Sequence, residues 1–66
     1  MRVEIVPKSK RARERVKVHG TEMELLDDGP NAFRVRSLEM TASWQGVKEF
    51  WEGWFNKETE ASFRLV

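Results

Sequence analysis

Apolar and polar residues alternate along much of the chain, and this period of two constrains its fold more than any other feature. Side chains two positions apart lie on the same face of a β-strand, so each such run can bury one face and expose the other. The pattern predicts five short strands, at residues 2–6, 13–19, 22–26, 32–38 and 61–66. Pro7 and the turn-forming residues 27–31 follow the first and third of them.

Two of these strands have well-defined inner faces. The second strand places Val16 and Val18 on one side, and Gly20 follows it as a turn. The fourth strand places Phe33 and Val35 on one side, with arginines on the other. The second, third and fourth strands are predicted to form an antiparallel meander, and the fifth is expected to return and pair with the first.

The period changes to that of a helix between residues 43 and 56. Ser43 or Thr41 is a suitable N-cap. Two glycines in the segment each cost a helix up to about 1 kcal/mol relative to alanine, so a hairpin turning at residues 52–53 is the alternative. The apolar side chains that share one helical stripe, at i, i+3, i+4, i+7 and i+8, are Val47, Phe50, Trp51, Trp54 and Phe55.

A chain of 66 residues without cysteine is expected to form a single small domain, residues 1–66. Such a domain buries only about 60% of the surface of its unfolded chain, so its core needs most of the large apolar side chains. Five strands and one helix predict a mainly β protein of the α+β class. The expected architecture is a small five-stranded antiparallel sheet, an SH3-like or OB-like partial barrel, with one helix from the C-terminal half covering an open end.

The sequence lacks the residue patterns of common catalytic and metal sites. His19 is the only histidine, has no partner at metal-binding spacing and precedes a turn, so an exposed turn residue is expected there. The glycines form neither a nucleophile elbow nor a phosphate-binding loop. Asp27 and Asp28 lack the alternating acidic positions of a calcium loop, and a turn accounts for them. We therefore predict that the protein is not an enzyme and has no metal site and no cofactor.

Half of the 12 basic residues lie in one run, at residues 8–17. Such a cluster favours an anionic partner, because each cation that neutralises a phosphate releases a condensed counterion. Residues 8–14 are expected to form a flexible basic loop along a phosphate backbone. The alternative is a solubilising loop that shields a sheet edge, and a net charge of only +1 is low for a dedicated nucleic-acid-binding domain. The predicted nucleic-acid-binding residues are Lys8, Lys10, Arg11, Arg13, Arg15, Lys17, Arg34 and Arg36.

Arg34 and Arg36 lie on the outer face of the fourth strand and extend the positive surface if that strand is near the second. Stacking of unpaired bases would also need exposed rings beside these arginines. Phe33 is expected to point to the opposite face, so the sequence argues against recognition of single strands.

Five of the seven aromatic residues lie between residues 44 and 55. In the simplest interpretation, the helical stripe packs on the sheet and fills the core. The stripe is wide, however, so some rings are expected to stay exposed, where tryptophan is typical of interfaces. A homodimer or another protein partner would cover them. The predicted protein-interface residues are Trp44, Phe50, Trp51, Trp54 and Phe55.

These features together predict a small non-catalytic binding module. The first hypothesis is contact with nucleic-acid phosphates through the basic run, and the alternative is an interaction or inhibitor protein that docks through its aromatic surface. The size resembles that of accessory and regulatory proteins from phages and mobile elements. No apolar stretch reaches the length of a signal sequence or a membrane span, so a soluble cytoplasmic protein without a membrane partner is expected.

Overall fold

The computed structural model describes residues 1–66 and contains seven β-strands and one α-helix. In chain order the elements are β1 (Arg2–Pro7), α1 (Lys10–His19), β2 (Glu22–Asp28), β3 (Ala32–Ser37), β4 (Thr41–Ala42), β5 (Lys48–Glu49), β6 (Glu52–Asn56) and β7 (Ala61–Leu65). The protein is therefore mainly β, as the alternating pattern predicted.

Five of the strands form one antiparallel sheet in the order β6-β3-β2-β1-β7, while β4 and β5 pair only with each other. β2 and β3 form the predicted hairpin, with Leu25 opposite Val35. The last strand returns to the first, as predicted, and pairs Phe63 with Ile5. A five-stranded antiparallel sheet is thus confirmed, although β6 belongs to it and the strand predicted at residues 13–19 does not.

The sheet bends so strongly that its two edge strands approach each other at one end. β6 and β7 lie at opposite ends of the strand order, yet only residues 57–60 join them. A hydrogen bond of 3.0 Å from the Glu60 N–H to the Asn56 carbonyl closes this turn. Neighbouring strands are about 4.8 Å apart, so a flat five-stranded sheet would be too wide for so short a connection. No ladder joins β6 to β7, and the sheet remains open along that side.

The core lies on the concave face of this sheet, beneath α1. Phe33 is fully buried at its centre, with its ring centre 5.7 Å from that of Phe55 and 4.8 Å from that of Phe63. Burial alternates along β1 and β3 with the period of two predicted from the sequence. The buried apolar residues are Val3, Ile5, Ala12, Val16, Met23, Phe33, Val35, Phe55 and Ala61.

The prediction of a strand at residues 13–19 is wrong, because these residues belong to α1. Ser9 begins the helix as its N-cap, and its Oγ accepts a hydrogen bond of 3.1 Å from the Ala12 N–H. Ala12 and Val16, four positions apart, are buried on one helical face, while Val18 is exposed. Residues 10–14, predicted as a flexible basic loop, lie in the first turns of this helix.

α1 is ten residues long. Neither its length nor its apolar content would allow it to cross a lipid bilayer.

The prediction of a helix at residues 43–56 is also wrong. Residues 48–49 form β5, and residues 52–56 form β6, which pairs with β3 and places Gly53 opposite Val35. Adjacent rings therefore point to opposite faces of the sheet: Phe55 is buried and Trp54 is exposed. The alternative of a turn at residues 52–53 is wrong too, because both residues lie inside β6.

Candidate functional site

A cleft of about 640 Å³ lies between the C-terminal half of α1 and the segment that carries β4 and β5. We call it the aromatic cleft. It brings together residues from two separate predicted sites. Arg15 was predicted to bind nucleic acid, whereas Trp44, Phe50 and Trp51 were predicted to form a protein interface. The side chains that line it include Arg15, His19, Trp44, Glu49, Phe50 and Trp51.

The Trp51 ring forms one wall of the aromatic cleft and is in contact with both α1 and the core. It stacks on the imidazole of His19, with ring centres 4.8 Å apart and planes inclined by 9°. The guanidinium carbon of Arg15 lies 5.8 Å from the centre of the Trp51 ring, a cation–π distance. On its other side Trp51 packs toward the core, 5.8 Å from Phe55. The ring is therefore held between the helix and the sheet.

The backbone of Trp51 is fixed by a buried serine. The Ser37 N–H donates to the Trp51 carbonyl at 2.8 Å, and the Trp51 N–H donates to Ser37 Oγ at 2.9 Å. Ser37 Oγ in turn donates to the Glu39 carbonyl at 2.9 Å. These bonds satisfy the one buried polar side chain of the protein and set the position from which the Trp51 ring reaches α1.

Gly53 leaves room for the Trp51 ring. A Cβ atom at residue 53 would lie 2.6 Å from Trp51 Cη2 and closer still to Cζ2. Real side chains do not approach so closely, so any larger residue here would have to displace the ring. The absence of a side chain at residue 53 is therefore a condition for the stack of Trp51 on His19.

Trp44 stands at the tip of the hairpin formed by β4 and β5. The Ser43 N–H donates to the Val47 carbonyl at 2.8 Å, and Gly46 completes the turn with φ of 80°, in the region that favours glycine. The Trp44 side chain is 92% exposed. The hairpin thus presents a large ring to solvent at the edge of the aromatic cleft.

Two further aromatic rings lie beside arginines on the outer face of the sheet. Arg34 and Trp54 are cross-strand partners, and the guanidinium carbon lies 5.9 Å from the ring centre. The corresponding distance from Arg36 to Phe50 is 5.4 Å. The expectation that no exposed ring accompanies these arginines is therefore wrong. Phe33 does point inward, as predicted, but the rings come from the neighbouring segment, which was predicted as a helix.

The predicted basic residues do not form one surface. Arg11 is ion-paired with Glu60, Arg34 with Asp27, and the Lys8 ammonium donates to a backbone carbonyl in the turn at residues 57–60. Arg15 faces the aromatic cleft. In a strand, Arg15 would lie on the same face as the basic residues at 13 and 17. Because residues 13–19 are helical, Arg15 instead points away from those two residues.

Three basic residues remain together on one flank of α1. They occupy positions i, i+3 and i+7, which lie along the same side of a helix, and all three are exposed. The ion pairs of the structure include none of them. We call this set the basic stripe: Lys10, Arg13 and Lys17.

The predicted protein-interface residues also divide. Trp44 is 92% exposed, Trp54 52% and Phe50 43%, so these three present substantial apolar surface to solvent. Trp51 is half-buried in the wall of the aromatic cleft. Phe55 is fully buried in the core, so its prediction as an interface residue is wrong.

His19 was expected to be an exposed turn residue, and this is wrong because it ends α1 half-buried against Trp51. Its Nδ1 atom is buried without a hydrogen-bond partner. Burial lowers the pKa of His19, and the positive charge of Arg15 lowers this pKa further. The imidazole is therefore held in its neutral form down to a lower pH than in the unfolded chain.

This histidine makes the free energy of unfolding depend on pH. The unfolded chain binds a proton at His19 near pH 6.5, above the pKa in the folded protein. Stability from this source is complete above pH 6.5, declines as the pH falls toward the folded pKa, and declines no further below it. Urea titrations at about pH 8 and about pH 5 measure the free energy of unfolding at each pH. Between these two values, the unchanged protein should lose more of this free energy than the His19→Gln variant. Equal losses would contradict this assignment.

No protein-family model, curated protein or solved structure matches the chain.

Proposed function

We propose that the protein binds nucleic acid through the basic stripe of α1, with Lys10, Arg13 and Lys17 each contacting a phosphate. The observation that carries this proposal is the absence of any carboxylate paired with these three cations. Exposed cations without an ion-pair partner are available to replace the counterions of a phosphate backbone.

The helix supports the proposal by fixing the three charges relative to one another. α1 is capped by Ser9 and held to the core by Ala12 and Val16, so its exposed flank is ordered before any ligand arrives. Seven residues of helix span about 10 Å, and duplex DNA carries one charge per about 1.7 Å of its axis. The stripe can therefore reach separate phosphates at little cost in backbone entropy.

Contacts of this kind give affinity with little sequence preference. Fluorescently labelled duplexes and single strands of DNA and RNA should bind the protein at low salt. Their affinity should decrease as the salt concentration is raised from about 50 to about 200 mM. The variant K10Q/R13Q/K17Q should bind more weakly and should reduce the slope of log affinity against log salt by about 3 on duplex DNA. Fluorescence anisotropy measures both quantities.

Arg64 provides a matched control for charge. It is exposed on β7 and paired with Glu4, so Arg64→Gln removes one positive charge away from α1. Comparing R13Q with R64Q should show the lower affinity and the smaller salt slope in R13Q alone. Equal effects would reduce the proposal to nonspecific attraction by net charge. No binding at low salt would contradict it and would direct attention to a protein partner of the exposed rings.

We also propose that the curled sheet is a partial barrel of the SH3-like or OB-like kind. Support comes from the strand order, in which consecutive strands β6 and β7 occupy opposite edges and are joined by residues 57–60 alone. α1 lies on the concave side of this sheet, with Ala12 and Val16 in the core. OB-fold barrels bind oligonucleotides on one sheet face and two loops.

A further inference from the structure

The aromatic cleft differs in chemistry from the basic stripe, although both border the same helix. Its polar lining includes Arg15 on one side and two carboxylates, Glu49 and Glu52, on the other. Two carboxylates make it a poor site for a phosphate. Its apolar lining includes Trp44, which is almost completely exposed. The cleft therefore suits a flat, uncharged group with hydrogen-bond donors at its edge, carried by an anionic chain that α1 attracts.

We infer that the aromatic cleft takes an unpaired nucleobase from a strand that crosses α1 from the basic stripe on its opposite flank, so that the protein prefers single strands to duplexes. This inference rests on the proposed function. The volume of about 640 Å³ lies within the range of about 300–1,000 Å³ typical of small-molecule sites, large enough for one base and its sugar.

The rings define how such a base is held. Trp51 already stacks on His19, and Gly53 lies against the same ring, so Trp51 acts as a fixed wall. Trp44 and Phe50 retain free surface. A base that enters the cleft can therefore stack on the Trp44 ring, which is otherwise left in water on the hairpin tip.

The two carboxylates add a preference among bases. A carboxylate oxygen accepts a hydrogen bond from the exocyclic amino group of cytosine, adenine or guanine. Uracil and thymine have a carbonyl oxygen in place of that group, and their remaining donor, N3–H, is flanked by two carbonyl oxygens that a carboxylate repels. Glu49 and Glu52 should therefore select bases that carry an amino group.

The inference is tested with labelled single strands of about 12 nucleotides, oligo(C) and oligo(U), within the site sizes of small single-strand-binding domains. We expect oligo(C) to bind more tightly than oligo(U), and Trp44→Ala to weaken single-strand binding by about 5- to 100-fold while leaving duplex binding unchanged. The variant E49Q/E52Q should remove the preference for oligo(C). Trp54→Ala, which deletes an exposed ring away from the cleft, is the matched control and should bind like the unchanged protein.

The outcomes separate this inference from the proposed function. If K10Q/R13Q/K17Q loses binding but W44A binds single strands normally, the aromatic cleft takes no base and the basic stripe retains its role. If W44A and W54A weaken binding equally, the loss is not specific to the cleft and the inference is wrong. If no oligonucleotide binds at low salt, both proposals are wrong, and the aromatic cleft is left for a protein partner.

Discussion

Phe33→Ala is expected to remove most of the free energy that keeps this protein folded. The side chain is fully buried and lies against Phe55 and Phe63, so its loss leaves a cavity in the middle of the core. Deletions of this kind cost about 3–5 kcal/mol. A domain of 66 residues has a total stability of about 3–10 kcal/mol, at roughly 0.05–0.15 kcal/mol per residue. The midpoint of urea unfolding, followed by far-ultraviolet circular dichroism, measures the effect.

Two further variants make this prediction decisive. Phe33→Leu keeps most of the volume and should lose less stability, which gives a measurable midpoint even if the alanine variant is unfolded. Phe50→Ala removes the same group from a position that is 43% exposed and should cost much less. Similar midpoints for Phe33→Ala and Phe50→Ala would show that Phe33 is not central to the core.

Gly53→Ala is expected to destabilise the protein by about 1–3 kcal/mol, although alanine is a modest change at most positions. The new methyl group would occupy space that the Trp51 ring already fills, and the ring is held on its other side by His19. Displacing the ring breaks the stack and exposes the imidazole to water. The pKa of His19, measured by NMR, should therefore rise toward its ordinary value.

The neighbouring residue and a double variant provide the controls. Glu52→Ala changes an exposed side chain on the same strand and should leave the urea midpoint nearly unchanged. In a Trp51→Leu background the smaller side chain removes the collision, so Gly53→Ala should cost less than it does alone. An undiminished cost in that background would assign the effect to β6 itself rather than to the ring.

The hairpin of β2 and β3 was predictable because its signals are local and agree. Met23 alternates with charged residues before the turn, Phe33 and Val35 alternate with arginines after it, and the residues between them favour chain reversal. Burial then follows from the period alone. The pairing of β7 with β1 was predictable for the same reason, since both strands alternate and each needed a partner.

The helix was missed because Val16 and Val18, two positions apart, match the period of a strand, whereas the helical pair of Ala12 and Val16, four positions apart, contains only one large apolar side chain. Val16 is buried with Ala12, whereas Val18 faces solvent. Ser9 before the run and Gly20 after it are typical capping residues for the two ends of a helix. Together they were the signal in the sequence that indicated a helix here. Charged side chains that suit a strand edge suit the exposed face of a helix equally well.

The site was only partly predictable because it depends on which strand lies beside β3. Residues 50–55 match a helical stripe, but pairing with β3 draws them into the sheet and alternates their rings between its two faces. Gly53 inside this segment, and the strand preference of tryptophan and phenylalanine, were the signals against a helix. The meeting of Arg15 with Trp51 depends on contacts between distant parts of the chain, and no local pattern contains it.

The ladder between β1 and β7 has a consequence for the rate of folding. It pairs Val3 with Leu65, so nearly the whole chain must be brought into a closed loop before these hydrogen bonds can form. The hairpin of β2 and β3 closes over a few residues and has no such entropic barrier. During synthesis the edge of β1 that faces β7 would therefore stay unpaired until β7 leaves the ribosome, and the slowest step of folding would be the joining of these two strands, the most distant in sequence.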